Sequence, residues 1–276
     1  MNLDNFVNRL WTAKDFVEYV NLRWRNSLLG KNCYWYGTGS IVSCETGKVI
    51  ALLEGLEWGT VRSISQQSIN QGTTKAVVSS KKLYFLKDPE TGSYLSECVS
   101  QRQTRKVNPI FYPQQDIQLV WDNRSVELSK QSVSVSSKTL LGSRVTHMAN
   151  IRVYSLPIFV RIGNKKAGYI STLEKYDLYH YTHFLSRLFM SPILSWVRYG
   201  DCPSWYGKGK CTSYLVSKKL KNIHSLPKEL VNQVKNYDPL FFQQPLSSYE
   251  DSHFESDDKH RRNRNKRILG ERSFSQ

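Results

Sequence analysis

The stretch LYFLKDPETGSYLSEC, residues 83–98, constrains the fold of this chain more than any other part of it. Its first part is apolar and aromatic, which is typical of a strand, and its DPETG core is typical of a tight turn. Pro89 presets φ in such a turn, and Gly92 permits a positive φ. The residues after the turn are predicted to return as a strand, so the stretch predicts an antiparallel hairpin.

The same alternation of strand and turn recurs along the chain. Residues 33–43 and 49–63 flank a polar turn and predict a further hairpin. The other strand candidates are 75–86, 93–100, 116–121, 132–139, 151–162, 167–173, 194–199 and 212–217. Many strands with few helices between them argue against βαβ units, so we predict a mainly β fold with an antiparallel, barrel-like sheet.

One helix is predicted before this sheet and one after it. In residues 1–30, Asp4 and Thr12 are candidate N-caps, and apolar residues then recur at helical spacing. Ser225 is the candidate cap of a second helix that ends near Tyr237.

These elements predict three parts of the chain. An N-terminal helical segment (1–30) packs on the barrel, and an antiparallel β domain covers residues 31–244. A basic tail, residues 245–276, loses apolar periodicity, and we expect it to be disordered.

The net charge of +16 is not spread evenly along the chain, and one segment near its end is strongly basic. From Lys259 to Arg272 there are seven Lys and Arg residues against one Glu, which leaves +10 on the preceding residues. Weak contact of this segment with nucleic acid or an anionic surface is one expectation, and a purely solubilising tail is the other. No recognition-helix, zinc-finger or RNP pattern accompanies the charge.

Sequence motifs point to no cofactor and no metal. The five cysteines lack CxxC spacing, and complete dinucleotide, P-loop, GxSxG, HExxH and EF-hand patterns are absent. The N-terminus has no continuous apolar core, and no apolar stretch is long enough to span a bilayer. We therefore expect a soluble, cytoplasmic protein with reduced thiols and no transmembrane segment. The sequence does not indicate an oligomeric state.

Glu54 is the first candidate functional residue, because it lies inside the largely apolar strand VIALLEGLEW. A carboxylate there must be paired, raised in pKa, or turned outward by a bulge at Gly55. Strand alternation places Arg62 on the same side, which makes it the candidate partner and a candidate ligand-binding residue. Both an ion pair and a catalytic acid or base fit this pattern.

His180 and His183 are the other candidate acid–base residues. On a strand they would lie on opposite faces, which weakens a shared metal site, whereas on a helix they would be neighbours. A structural role for each histidine is the alternative.

Aromatic residues and one arginine predict a ligand pocket. Trp196 and Arg198 lie on one strand face, and Trp205 follows in a glycine-containing loop. An arginine beside indoles can hold an anionic or planar ligand, or it can satisfy loop carbonyls in a buried corner. Tyr84 and Tyr112 complete the candidate ligand-binding set.

Two blocks of the sequence resemble the domain-of-unknown-function 1838 family, which is found largely in bacteria. Residues 83–98 are similar to its Y-x-D-P-x-T-G hairpin, and residues 195–220 are similar to its later S-W-x-R block. The matching residues of that later block are Trp196, Arg198, Pro203, Trp205, Gly207, Tyr214, Lys218 and Lys219. Cys98 stands where the family usually has Trp, and the Asn-Pro that normally follows is absent there or displaced to Asn108-Pro109. The resemblance implies a shared fold and no particular activity.

Three hypotheses of function follow. The leading one is a binder of a small hydrophobic or planar ligand in the aromatic pocket. The alternative is a cofactor-independent isomerase, cyclase or hydrolase that uses Glu54, His180 or His183. The second alternative is an electrostatic adaptor that uses the basic tail.

Overall fold

One curled antiparallel sheet dominates the computed structural model of this chain. The model describes residues 7–25, 32–66, 72–100, 103–122, 126–130, 133–138, 142–164, 168–183, 190–221 and 223–243. The first elements are β1 (Val7–Leu10), α1 (Ala13–Trp24), β2 (Cys33–Ser43), β3 (Val49–Gln66), β4 (Thr73–Lys87), β5 (Glu97–Ser100), β6 (Gln103–Lys106) and β7 (Ile110–Asp122). They are followed by β8 (Val126–Lys130), β9 (Val133–Lys138), β10 (Arg144–Met148), β11 (Ile151–Asn164), β12 (Gly168–Tyr181), β13 (Ile193–Asp201), β14 (Lys210–Lys219) and α2 (Lys228–Tyr237).

Within the described residues, twelve strands form one sheet in the order β1-β10-β11-β12-β13-β14-β2-β3-β4-β7-β8-β9. Every pairing in it is antiparallel. Strand β9, the last in this order, pairs with β11 as well as with β8. The sheet therefore curls until its last strand meets one of its earlier strands. The predicted fold class, a barrel-like antiparallel sheet with an N-terminal and a C-terminal helix, is confirmed.

The turn at residues 88–92 forms as predicted, but the strand predicted after it does not pair along β4. Asp88 Oδ1 accepts two backbone N–H groups of the turn, at 2.9 and 2.7 Å, and Gly92 has a φ of 70°. Beyond the turn, one isolated bridge joins Lys87 to Tyr94. Since β7 pairs with β4 along most of that edge, the chain continues into β5, which pairs with β6 instead.

The first helix begins at the predicted cap. The Thr12 hydroxyl accepts the Asp15 N–H at 3.3 Å, and the Asp15 carboxylate accepts the Thr12 N–H at 2.7 Å, which completes a capping box. The prediction of helix throughout residues 1–30 was wrong for β1, which pairs with β10. Arg9 of β1 also binds Asp15 at 2.5 Å, so tertiary pairing holds this short segment extended.

The second helix begins later than predicted. Pro227 occupies its N-cap position without a side-chain hydrogen bond, and Ser225 ends a preceding 3₁₀ turn. A proline disfavours helical backbone at the residue before it, which explains the later start. Tyr237, at the end of α2, meets the rings of Phe85 and Phe111 edge-on, so this helix packs on β4 and β7.

The opposite face of the sheet packs around α1. Its buried residues Phe16, Tyr19, Val20 and Trp24 share one hydrophobic core with side chains of β2, β4, β7 and β11. No described helix is both long and apolar enough to cross a membrane. The predicted tail, residues 245–276, lies outside the described residues.

Candidate ligand-binding cavity

A cavity of about 130 Å³ lies between α1 and the inner face of the sheet. Its size is of the order of the roughly 150 Å³ apolar cavities that accept one benzene ring. Its aliphatic lining is Leu53, Ile110, Ile117, Leu119, Leu156, Ile158, Val160, Leu194 and Leu215. Its aromatic lining is Trp24, Tyr84, Tyr112, Tyr176 and Trp196. Such walls suit a planar, largely hydrophobic molecule.

Two glycines of β3 make room for the aromatic walls. A Cβ atom at Gly55 would overlap with the backbone of β4 and with the ring of Tyr84. A Cβ atom at Gly59 would overlap with the indole of Trp24. Because both positions lack a side chain, the two rings lie close against the strand.

Charged side chains also line this cavity, which is unusual for the inside of a sheet. Glu57 lies directly opposite Lys82 across β3 and β4, and their charged atoms are 3.1 Å apart. The other Glu57 oxygen is 3.5 Å from Nη2 of Arg23, which comes from α1. Burial opposes the charged form of Glu57, but Lys82 and Arg23 outweigh it, so the pKa of this carboxyl lies below its ordinary value.

Arg23 is held between aromatic rings. Its guanidinium carbon lies 4.5 Å from the ring centroids of both Trp24 and Tyr176, and Nη1 donates to the Tyr19 hydroxyl at 2.6 Å. Cation–π contact with desolvated rings stabilises a buried arginine and fixes its plane. The Arg23 Nε–H is buried, and it has no hydrogen-bond acceptor among the described residues.

A second carboxylate cluster stands across the cavity on β12 and β13. Glu174 Oε2 accepts the Tyr176 hydroxyl at 2.7 Å and the Trp196 indole N–H at 3.1 Å. Arg198 lies directly opposite Glu174 in the register, but its Nε is 3.9 Å from Oε1. Tyr176 connects the two clusters, since its ring stacks on Arg23 and its hydroxyl binds Glu174.

The cavity phenols Tyr84, Tyr112 and Tyr176 stay protonated near neutral pH. Burial raises the pKa of Tyr84 and of Tyr112, and it raises that of Tyr176 well above the ordinary value. The neighbouring carboxylate Glu174 adds to the shift at Tyr176. None of these phenols is therefore a nucleophile or general base near neutral pH.

The structure brings together four of the six predicted ligand-binding residues: Tyr84, Tyr112, Trp196 and Arg198 all line the cavity. Trp205 does not line it, but it packs in the hydrophobic cluster that contains Tyr84. Arg62 is not part of the lining. It falls in a bulge of β3 where the register with β4 shifts between Val61 and Ser63.

Glu54 does not face the cavity, and its predicted partner is wrong. Strand alternation puts it on the face opposite to Glu57. Its carboxylate accepts the hydroxyls of Tyr36 and Tyr94, each at 2.7 Å, and pairs with Lys87 at 3.0 Å. The bulge in β3 moves Arg62 out of the simple alternation on which the predicted pair depended. These contacts agree with the ion-pair alternative for Glu54.

The two histidines do not line the cavity either. Residues 176–181 belong to β12, so the strand alternative applies to this segment. His180 pairs with Arg152 of β11 in the register, beyond the end of the cavity, and His183 follows the strand as an exposed residue. None of Glu54, His180 and His183 lines the cavity that contains Arg198, so the arrangement that would favour an acid–base role for them is not found there.

Sequence reasoning missed Arg23, Glu57, Lys82, Glu174 and Tyr176. One signal was available for Glu57: it is three residues from Glu54 on one strand, so the two carboxylates must face opposite sides. The positions of Lys82, Glu174 and Tyr176 depend on the register of β3 with β4 and of β12 with β13, and that of Arg23 depends on how α1 packs on the sheet.

Two further observations limit the chemistry. All five cysteines are free thiols, and the described part of the chain holds no cluster of three or more His, Cys, Asp or Glu residues placed to bind a metal.

No protein-family model, curated protein or solved structure matches this chain. The resemblance to the domain-of-unknown-function 1838 family therefore stays a prediction.

Proposed function

We propose that this protein binds a small, planar, largely hydrophobic molecule in the cavity between α1 and the sheet. The observation that supports it is the combination of aromatic and aliphatic walls with a few polar groups held in fixed positions. Ligand sites are typically built this way, since apolar walls supply affinity and fixed polar groups orient the ligand. Tyr84, Tyr112, Trp196 and Arg198 are the predicted residues that belong to it.

A cavity-filling variant tests the proposal. Leu194 lines the cavity and is buried, so Leu194→Phe should occupy part of the space. Leu173→Phe is the matched control, because Leu173 is 45% exposed and lies outside the cavity. Binding of planar probes (benzoate, benzamide, 2-naphthoate and 2-naphthamide) would be measured by ligand-observed NMR, with circular dichroism to verify folding.

We expect Leu194→Phe to weaken binding of every probe that the unaltered protein binds by about tenfold or more. The larger side chain would occupy space that the ring of the probe needs. Leu173→Phe should bind as the unaltered protein does. Failure of all four probes to bind, together with no co-purifying small molecule in native mass spectrometry, would contradict the proposal. Equal effects of the two variants would place the bound probe elsewhere.

The remaining expectations stand as proposals beside it. Grouping with the domain-of-unknown-function 1838 family rests on the motifs at residues 83–98 and 195–220. Cytoplasmic location rests on the five widely spaced cysteines, all of which are free thiols. The electrostatic role rests on the charge between Lys259 and Arg272, outside the described residues.

A further inference from the structure

We propose that the ligand of this cavity is a planar organic monoanion, such as an aromatic carboxylate, whose negative group binds beside Arg198. This inference rests on the proposed function, because it needs a ligand in the same cavity. It adds the charge of the ligand and the residue that recognises it.

The charges of the lining do not balance. Among the described lining residues there are three cationic side chains, Arg23, Lys82 and Arg198, against two carboxylates, Glu57 and Glu174. Their side chains are between 4% and 28% exposed, so solvent compensates them only in part. A surplus positive charge beside apolar walls is unfavourable unless an anion joins it.

The two carboxylates are committed to other partners. Glu57 is shared between Arg23 and Lys82, and Glu174 directs one oxygen to the hydroxyl of Tyr176 and the indole of Trp196. At 3.9 Å, the separation of Arg198 Nε from Glu174 exceeds hydrogen-bond length. A guanidinium has five N–H donors, and the long ion pair of Arg198 with Glu174 forms no hydrogen bond with them.

A second donor in the cavity wall also lacks an acceptor. The Nε–H of Arg23 is buried, with 4% of the side chain exposed, and no described residue accepts from it. Leaving a charged buried donor unsatisfied costs free energy that an acceptor would recover. Arg23 therefore adds positive charge to this wall, and the under-used guanidinium of Arg198 favours an acceptor ligand over a donor ligand.

The shape of the surroundings favours a planar acid over a compact anion. Tyr176 and Trp196 lie opposite each other across β12 and β13, next to the Glu174 and Arg198 pair. Aliphatic side chains form most of the remaining wall. A flat ring against these walls, with its carboxylate at the guanidinium edge, meets both requirements, since carboxylates match the fork of an arginine.

The experiment compares each acid with its neutral amide of the same shape. Dissociation constants of benzoate and benzamide, and of 2-naphthoate and 2-naphthamide, would be measured by NMR titration at neutral pH. We expect each acid to bind at least about tenfold more tightly than its amide, which corresponds to one charge-assisted hydrogen bond.

Variants assign the preference to Arg198. It is chosen over Arg23 because its side chain is 28% exposed, whereas loss of Arg23 would leave Glu57 buried without one of its partners. Arg198→Gln should weaken binding of the acids about tenfold and leave the amides nearly unchanged. Arg144→Gln is the matched control: it makes the same change of net charge on the exposed Arg144 of β10, outside the cavity.

The outcomes separate the two proposals. Equal binding of acid and amide would overturn the inference and leave the proposed function intact. No binding of any probe, together with no co-purifying small molecule in native mass spectrometry, would overturn the proposed function itself. A preference for acids that survives Arg198→Gln, or that falls equally in Arg144→Gln, would overturn the assignment to Arg198.

Discussion

Glu54 and Glu57 stand three residues apart on β3 and have opposite surroundings. Glu54 is 9% exposed as a residue and accepts from two tyrosine hydroxyls and Lys87 on the outer face. Glu57 faces the cavity and is shared between Arg23 and Lys82. Strand alternation alone separates them, because each step of one residue reverses the face. Removal of Glu57 and removal of Glu54 should therefore lower the free energy of unfolding by different amounts.

We expect Glu57→Gln to lower the free energy of unfolding by about 3 kcal/mol or more, since it leaves the buried Arg23 without its counter-charge. Glu54→Gln should cost about 1 kcal/mol, because the amide oxygen still accepts hydrogen bonds and Lys87 is partly solvated. Urea unfolding of both variants measures the difference. Equal losses would contradict the distinction between the two faces.

The pH dependence of stability should carry a contribution from Glu57. Its pKa in the folded protein lies below the ordinary value of 4.5, so its stabilising effect is complete above that value and is lost as the pH falls through the folded pKa. Glu54 and Asp15 contribute in the same direction, because their pKa values are also lowered.

We therefore expect the free energy of unfolding to decrease below about pH 4.5. Glu57→Gln should show a shallower decrease than the unaltered protein, with a remaining slope from Asp15, Glu54 and Asp88, whose pKa values are also lowered. Urea titrations at a series of acidic pH values measure it. An unchanged slope in the variant would show that Glu57 has no lowered pKa.

At the scale of elements, β3 positions one of the two charged pairs of the cavity and two of its aromatic side chains. It presents Glu57 to the cavity, and its glycines admit the rings of Tyr84 and Trp24. Its pairing with β4 sets Lys82 opposite Glu57, and β12 and β13 present the corresponding pair across the cavity. Two strand pairs, which β14 and β2 separate in the sheet, thus each supply one acidic and one basic side chain to the same cavity.

The contact between Gly59 and Trp24 can be tested by a double-mutant cycle. Gly59→Ala should lower the free energy of unfolding by about 1–3 kcal/mol, because the new methyl group forces the indole of Trp24 away from β3. Trp24→Leu removes the ring, so the same substitution in that background should cost about 1 kcal/mol less. Additive effects of the two substitutions in urea unfolding would contradict this packing.

At the scale of the whole molecule, charge is distributed unequally. Of the net +16, residues 259–276 carry +6, from seven basic residues and one Glu, and the preceding residues carry +10. Contact with phosphates releases counterions, so the salt dependence of binding counts the basic residues engaged. The tail and the body can therefore be separated by measurement.

We expect a chain that ends at residue 258 to bind a single-stranded oligonucleotide more weakly and with a shallower salt dependence than the full chain. Fluorescence anisotropy over a range of KCl concentrations measures both. A full-length variant with Gln at the seven basic positions is the control for chain length. Identical salt slopes for all three proteins would exclude the tail as an electrostatic contact.

Much of the fold could be predicted from local patterns, and less of the site. The hairpin of β2 and β3, the cap at Thr12 and the turn at Asp88 depend on residues close in sequence. The strand predicted to return along β4 pairs with it only next to the turn, because β7, from farther along the chain, occupies the rest of that edge. Local propensity specifies an extended segment but not its neighbour in the sheet.

By itself, the sequence determined that the chain forms antiparallel strands with two flanking helices, because period-two hydrophobicity and turn residues act over a few positions. Only the tertiary structure decided that Arg23 meets Glu57, 34 residues away, and that Glu174 meets Trp196 and Arg198. The reason is physical. A buried charge is stabilised by whichever groups packing brings to it, and that depends on register and curvature between distant segments.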